Sequence, residues 1–379
     1  MTQIVRYSLR RYICQVNLTA CGDDYSLSYQ ERQMFTLRKN LSILWSILTS
    51  MDPAAYYALW IKVLQVICWP LDLILSVLER PFIPKGDPEP LPIVFVVGIH
   101  RTGSTLVSQV LADSFGFAPL GNFATVFPRS KYLVHLLFKR FYHPGEPAKP
   151  RKHKSFYGIS SGFYTVGDSY EIWDRWLGKD HYNRPEQISG QKRKDMAGYF
   201  RALQKAWGRP IITKNNRNTL ILADIYNSIP NVFFVVVNRN PADVIQSTIQ
   251  ASRDFFGTDE IIWGLRNDKS FDPGNYRDKL DAYCYQYLDL QDSIREELNT
   301  LPAEDYAVVQ YENFCKDPVG VQKEILARIK AKYDLPGRDE SFGASGYNTS
   351  RRLYDAELAE EINKRIRDIR TTQATSNAE

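Results

Sequence analysis

Apolar residues along this chain fall into runs of two kinds, and each kind predicts a different element. Four short runs, IVFVV (93–97), IIT (211–213), VFFVVV (232–237) and YAVVQ (306–310), are continuous, without polar alternation. Strands covered on both faces have this pattern, and the segments between them carry apolar residues at helical spacing. The expected fold class is α/β, with a largely parallel central sheet flanked by helices.

The longer kind is residues 53–79, PAAYYALWIKVLQVICWPLDLILSVLE, interrupted by Lys62, Gln65, Pro70 and Asp72. A spanning helix needs about 20 uninterrupted apolar residues. The expectation is instead a helical pair split at Pro70, either packed on the main domain or touching a membrane surface. The prolines of RPFIPKGDPEPLP (80–92) set a boundary near residue 90. The expected organisation is an N-terminal helical region (1–90), an α/β domain (91–370) and a disordered tail (371–379).

Composition narrows the function. A chain of 379 residues, 44% hydrophobic, can bury one large core with an appendage. A net charge of +5 is too small to argue for nucleic acid, but it suits a small anionic ligand. The five cysteines (Cys14, Cys21, Cys68, Cys284, Cys315) form no CxxC pair and no Cys/His metal spacing, so reduced thiols and a cytoplasmic setting are expected, with no metal. The first thirty residues hold no continuous apolar segment of the signal-peptide kind, and the sequons at Asn17, Asn40 and Asn348 are read as coincidental.

The chemistry is concentrated after the first strand. Gly98-Ile-His-Arg101-Thr102-Gly103-Ser104-Thr105 leads into a helical run beginning at Leu106. Strand, glycine-bracketed loop and helix start present backbone N–H groups and a positive dipole end to an anion. A nucleotide-hydrolysing loop needs GxxxxGK[ST]; here Ser104 stands in the lysine position and the cation is Arg101. That favours a planar grip on phosphate or sulfate over metal-assisted hydrolysis. After the strand at 232–237, Asn240 is a natural N-cap, Pro241 suits the first helical position and Asp243 completes a capping box. Arg239 and Ser247, two helical turns past the cap, then converge on one anion.

Together the two elements resemble the sulfotransferase family. Arg101, Thr102, Gly103, Ser104 and Thr105 match its 5′-phosphosulfate loop, in a form similar to the bacterial and Golgi-type branches; Arg239 and Ser247 match its 3′-phosphate element. The segments 213–247 and 308–326 extend the resemblance, which covers about residues 91–330. It implies a P-loop-type sulfotransferase fold and the co-substrate 3′-phosphoadenosine 5′-phosphosulfate (PAPS). Arg101 to Leu106 would hold the 5′-phosphate, Arg239 and Ser247 the 3′-phosphate, and Lys214 would approach the sulfuryl group. The implied acceptor is a hydroxyl or amine of a small molecule, glycan or lipid-linked compound.

The general base is where the chain departs from that pattern. Where many members carry a glutamate, PLGNFATVFPRS (119–130) offers Asn122, and an amide cannot take a proton. Asp168, Glu171 and Asp174 follow among aromatics, with Glu171 favoured because Trp173 would desolvate it; His100, His153 and His181 are alternatives. Phe156, Tyr157, Phe163, Tyr164, Tyr170, Trp173 and Trp176 are read as one acceptor wall. KPRKHK (149–154) and SRR (350–352) are read as auxiliary basic segments. The rivals are a P-loop kinase or NTPase, and an inactive membrane-associated nucleotide-binding scaffold.

Overall fold

A computed structural model describes residues 53–84, 86, 90–139, 155–156, 159–160, 162–267, 271–335 and 354–376. His153, Tyr157, both basic segments, Cys14, Cys21 and the three sequons lie outside them.

Helix α1 (Pro53–Leu78) precedes strand β1 (Ile93–Val97), helix α2 (Ser104–Phe115) and the two-residue β2 (Ala118–Pro119). Short helices α3 (Asn122–Val126) and α4 (Leu133–Phe138) lead to the hairpin of β3 (Ser155–Phe156) and β4 (Ile159–Ser160). Then come α5 (Tyr170–Leu177), α6 (Gly190–Trp207), β5 (Ile211–Lys214), α7 (Leu222–Tyr226), β6 (Val232–Asn238) and α8 (Pro241–Phe256). The chain finishes with α9 (Lys279–Asn299), β7 (Tyr306–Gln310), α10 (Tyr311–Lys316), α11 (Pro318–Lys332) and α12 (Ala356–Ser376).

The five-stranded sheet has the order β2-β5-β1-β6-β7, and every pairing is parallel. All four expected strands are present, so the α/β, P-loop-type reading of the fold holds. β1 is central, with Val96 in register with Lys214 on one side and Val97 with Val236 on the other. Its residues alternate between two cores. Phe95 and Val97 face Trp173, Phe200 and Phe234, whereas Val94 and Val96 face Val107, Leu111 and Phe314. This double burial is why β1, β5 and β6 read as unbroken apolar runs; β7, at the sheet edge, alternates between buried and exposed, with Val308 open to solvent, so the expectation of a doubly covered strand fails there.

Two expectations are corrected. α1 runs unbroken through Pro70, whose ring lies on the exposed side of the helix, so there is no pair split there. The opposite side holds the helix in place. Asp72 accepts from the backbone N–H of Ser130 at 2.9 Å, and Glu79 accepts from those of Lys131, Tyr132 and Leu133 at 2.9–3.1 Å. Glu79 thereby satisfies open donors at the start of α4, and both carboxylates are buried. The second correction concerns the tail: 371–376 continue α12, whose Ile362 and Ile369 pack with Ile245 and Ile249 of α8. Arg365 bonds Asp278 (2.6 Å) and Asp281 (2.8 Å), and the Gln246 amide pairs both ways with the Asp355 backbone.

Candidate functional site

The loop after β1 is built from the strand end outward. Gly98 has φ +147°, and a Cβ there would lie 2.5 Å from the Val237 carbonyl oxygen. Thr219, on the 3₁₀ turn after β5, clamps this glycine, accepting from its N–H (3.0 Å) and donating to its C=O (3.1 Å). Arg101 sits at φ 66°, an uncommon left-handed conformation for a side-chain-bearing residue. Gly103 has φ +89°, and a Cβ would come 2.2 Å from the Tyr311 ring. α2 starts immediately afterwards with no side-chain cap on its first N–H groups. An uncapped helix start, strained arginine and glycine cradle together fit an anion.

The second element meets the first directly. Arg101 Nε donates to Ser247 Oγ at 2.7 Å, and Arg239 donates to the Arg101 carbonyl at 3.1 Å. The Arg239 guanidinium lies 4.9 Å over the Tyr311 ring and 3.7 Å from Asp243, while its buried Nε has no hydrogen-bond partner among the described residues. A buried donor of that kind is expensive to leave unmade. Beside it, at the carboxyl ends of β6 and β7, opens a cleft of about 460 Å³ lined by Arg239, Asn238, Tyr287, Gln291, Gln310 and Glu312. Ligands of open parallel sheets bind at this edge. Asn240 does cap α8, accepting from Ala242 N–H at 2.9 Å. The reciprocal arm of the capping box is absent, because Glu312, not Asp243, accepts from Asn240 N–H.

Lys214, at the end of β5, donates to Asp168 at 2.7 Å, and both side chains are buried. Asn215 holds the Asp168 carbonyl at 2.6 Å. Glu171 and Trp173, two residues apart on α5, point to opposite sides: Glu171 pairs with Lys62 of α1, whereas Trp173 and Trp176 belong to the central core. The desolvated pairing of Glu171 with Trp173 therefore does not form, and these two tryptophans do not line an acceptor wall. Asp174 bonds Arg217 (2.9 Å) and His181 (2.8 Å), and Tyr170 stacks on His181 at 4.5 Å. Asn122 donates to the Gly162 carbonyl.

Thr102 is buried, and its hydroxyl donates to the Ile99 carbonyl, so this side chain shapes the loop. Ser104 is buried, while Thr105 and Leu106 are half-buried. His100 accepts from Leu265 N–H, and burial, with Arg101 beside it, pushes its imidazole down to about 3. It is neutral at physiological pH and too weak a base to be an effective proton acceptor. Sequence reasoning missed Thr219, Asn215 and Tyr311 as supports of the site. All three fall inside the segments 213–247 and 308–326 that extend the resemblance, but nothing local marks them out individually. No cluster of three or more His, Cys, Asp or Glu suited to a metal occurs among the described residues.

A parallel sheet with a glycine-bracketed loop after its central strand and an arginine-bearing helix start after the next defines a P-loop-like α/β protein. The sulfotransferase family profile matches residues 92–334, and the chain belongs to that family. Similar solved structures include sulfotransferase STF1 from Mycobacterium tuberculosis H37Rv, with 13% identity, TM-score 0.45 and coverage of 94% of this chain and 91% of that one. Sulfotransferase STF9 from Mycobacterium avium has 14% identity, TM-score 0.45 and coverage of 94% and 86%. The sulfotransferase domain of the Synechococcus PCC 7002 olefin synthase has 16% identity, TM-score 0.36 and coverage of 74% and 90%. No curated protein matches this chain.

Proposed function

We propose that this sulfotransferase uses PAPS and moves its sulfuryl group in line to a hydroxyl of a glycan or lipid-linked acceptor. The observation that carries the reading is the direct junction of Arg101, Ser247 and Arg239, which joins two cation-bearing elements and would suit a donor with two separate phosphates. PAPS supplies an activated sulfur–oxygen bond. Arg101 and the N–H groups from Gly103 to Leu106 hold the 5′-phosphate as charge develops on it, and Arg239 with Ser247 holds the 3′-phosphate. Lys214 exchanges Asp168 for the sulfuryl oxygens. Asp168, relieved of its counter-ion, accepts the acceptor's proton as the new sulfur–oxygen bond forms. Catalysis of this kind rests on positioning and cations, by analogy with phosphoryl transfer.

Glu171 is assigned to docking α1 through Lys62 and not to proton transfer. The apolar outer side of α1 supports peripheral contact with a membrane, which suits a lipid-linked acceptor.

The test is thermal stabilisation by 3′-phosphoadenosine 5′-phosphate (PAP), ADP and Mg-ATP at matched concentrations. A ligand at about 100 times its Kd adds roughly 2.7 kcal/mol. A shift with PAP alone, lost in Arg239→Ala, is expected; equal shifts with ADP, or a preference for Mg-ATP, would overturn the reading.

A further inference from the structure

Helix α1 is amphipathic in the reverse sense. Its buried Asp72, and Glu79 just beyond it, face the domain and bind the 129–133 backbone, whereas Trp60, Val63, Ile67, Leu71, Ile74 and Leu78 face outward. Those six positions follow one another at three- or four-residue spacing, so they form a single stripe about 27 Å long. Ile67 and Ile74 are 65% and 56% exposed, values that make the stripe an open surface and not a partly covered core. The stretch Leu59–Leu78 is long and apolar enough to cross a bilayer, with mean hydropathy 1.9. It cannot do so while the opposite face is packed: Ile61 is buried with Val126, Phe127 and Val134, and the carboxylates are sealed by backbone donors.

We infer that α1 lies flat in the lipid–water interface and seats the enzyme on a membrane as a monotopic protein. The inference deepens the membrane contact proposed above. Lipid is favoured over a protein partner because the stripe offers almost nothing to hydrogen-bond, whereas protein interfaces carry about one such bond per 100–200 Å². The polar atoms within reach are the indole N–H groups of Trp60 and Trp69, side chains that favour the headgroup boundary. Arg129, paired with Asp72, sits over Trp69 at 5.7 Å on the far edge of the exposed face, and Arg80 is exposed just beyond the helix end, so cations that complement anionic lipid border that face. The surface continues onto α4, where Leu137 is 64% exposed and Phe138 packs on Phe123, which in turn lies against the cluster holding α1.

The full chain is mixed with phosphatidylcholine vesicles, with and without phosphatidylglycerol, and with vesicles of bromine-labelled acyl chains. Flotation, stronger with phosphatidylglycerol, and bromine quenching of tryptophan fluorescence that is lost in Trp60→Phe/Trp69→Phe are expected. Ile67→Gln/Ile74→Gln should weaken partitioning at least tenfold while leaving the PAP-induced thermal shift unchanged, which separates this inference from the donor reading. Failure of the natural chain to float would overturn it. So would equal flotation of the glutamine variant, or a lipid-free dimer that the same substitutions dissociate, since the face would then be covered by a second copy.

Discussion

Arg101 Nε and Ser247 Oγ lie 2.7 Å apart across 146 residues of chain, joining the loop after β1 to the helix after β6. The serine fixes the arginine's head while the arginine's own backbone is held in a left-handed turn. Ser247→Ala should therefore act twice, removing a contact to the 3′-phosphate and loosening Arg101. PAP affinity is expected to fall roughly tenfold, about the worth of one charge-assisted hydrogen bond, as read by calorimetry. An unchanged Kd would dissociate Ser247 from the donor.

Asp168 and Lys214 form a buried pair, so losing one partner strands the other. Asp168→Asn should destabilise the fold by about 3–5 kcal/mol in urea unfolding, and Asp168→Asn/Lys214→Met should recover most of that. Neither variant should regain turnover, with a loss of at least about 100-fold for the base alone. Near-native turnover in the double variant would remove both residues from the chemistry.

Gly103 has no room for a side chain against Tyr311. Gly103→Ala should lose PAP binding and more than about 1 kcal/mol of stability, because φ is positive there as well. Retained binding would mean that the loop tolerates a different turn.

His135 is buried against Trp207 and Phe123, and neither ring nitrogen has a hydrogen-bond partner among the described residues. Burial pushes it down to about 3, as burial and Arg101 do for His100. The unfolded chain binds these protons near pH 6.5 and the folded one does not, so stability is full above that pH. It falls as pH drops from 6.5 towards 3, at up to about 1.4 kcal/mol per pH unit for each histidine. His135→Phe should reduce the slope between pH 6 and 5 in a series of denaturant midpoints and raise stability at pH 7; an unaltered slope would refute the assignment.

What could be read from sequence was what depends on neighbours in sequence. β1, and β6 up to Val237, are apolar because both of their faces are covered, and the glycines and arginines of the two candidate anion elements stand beside strand ends, where spacing locates them. β2 escaped because two paired residues leave no period. Pro70 misled because a helix tolerates the missing donor where the opposite face is pinned. The acids were unreadable for a different reason. Their partners lie 46 residues away for Asp168 and 109 for Glu171, and no local pattern reveals which carboxylate meets which cation.

The helix that presents Ser247 is covered from outside by α12, the last described element. During synthesis α8 therefore waits for its cover until about a hundred further residues have emerged. The family profile stops at residue 334, short of the brace. A stop codon placed there should give a chain whose sheet is intact on paper yet which shows no PAP-induced thermal shift. The span that the family profile matches and the span that donor binding depends on would then end at different places on the same polypeptide.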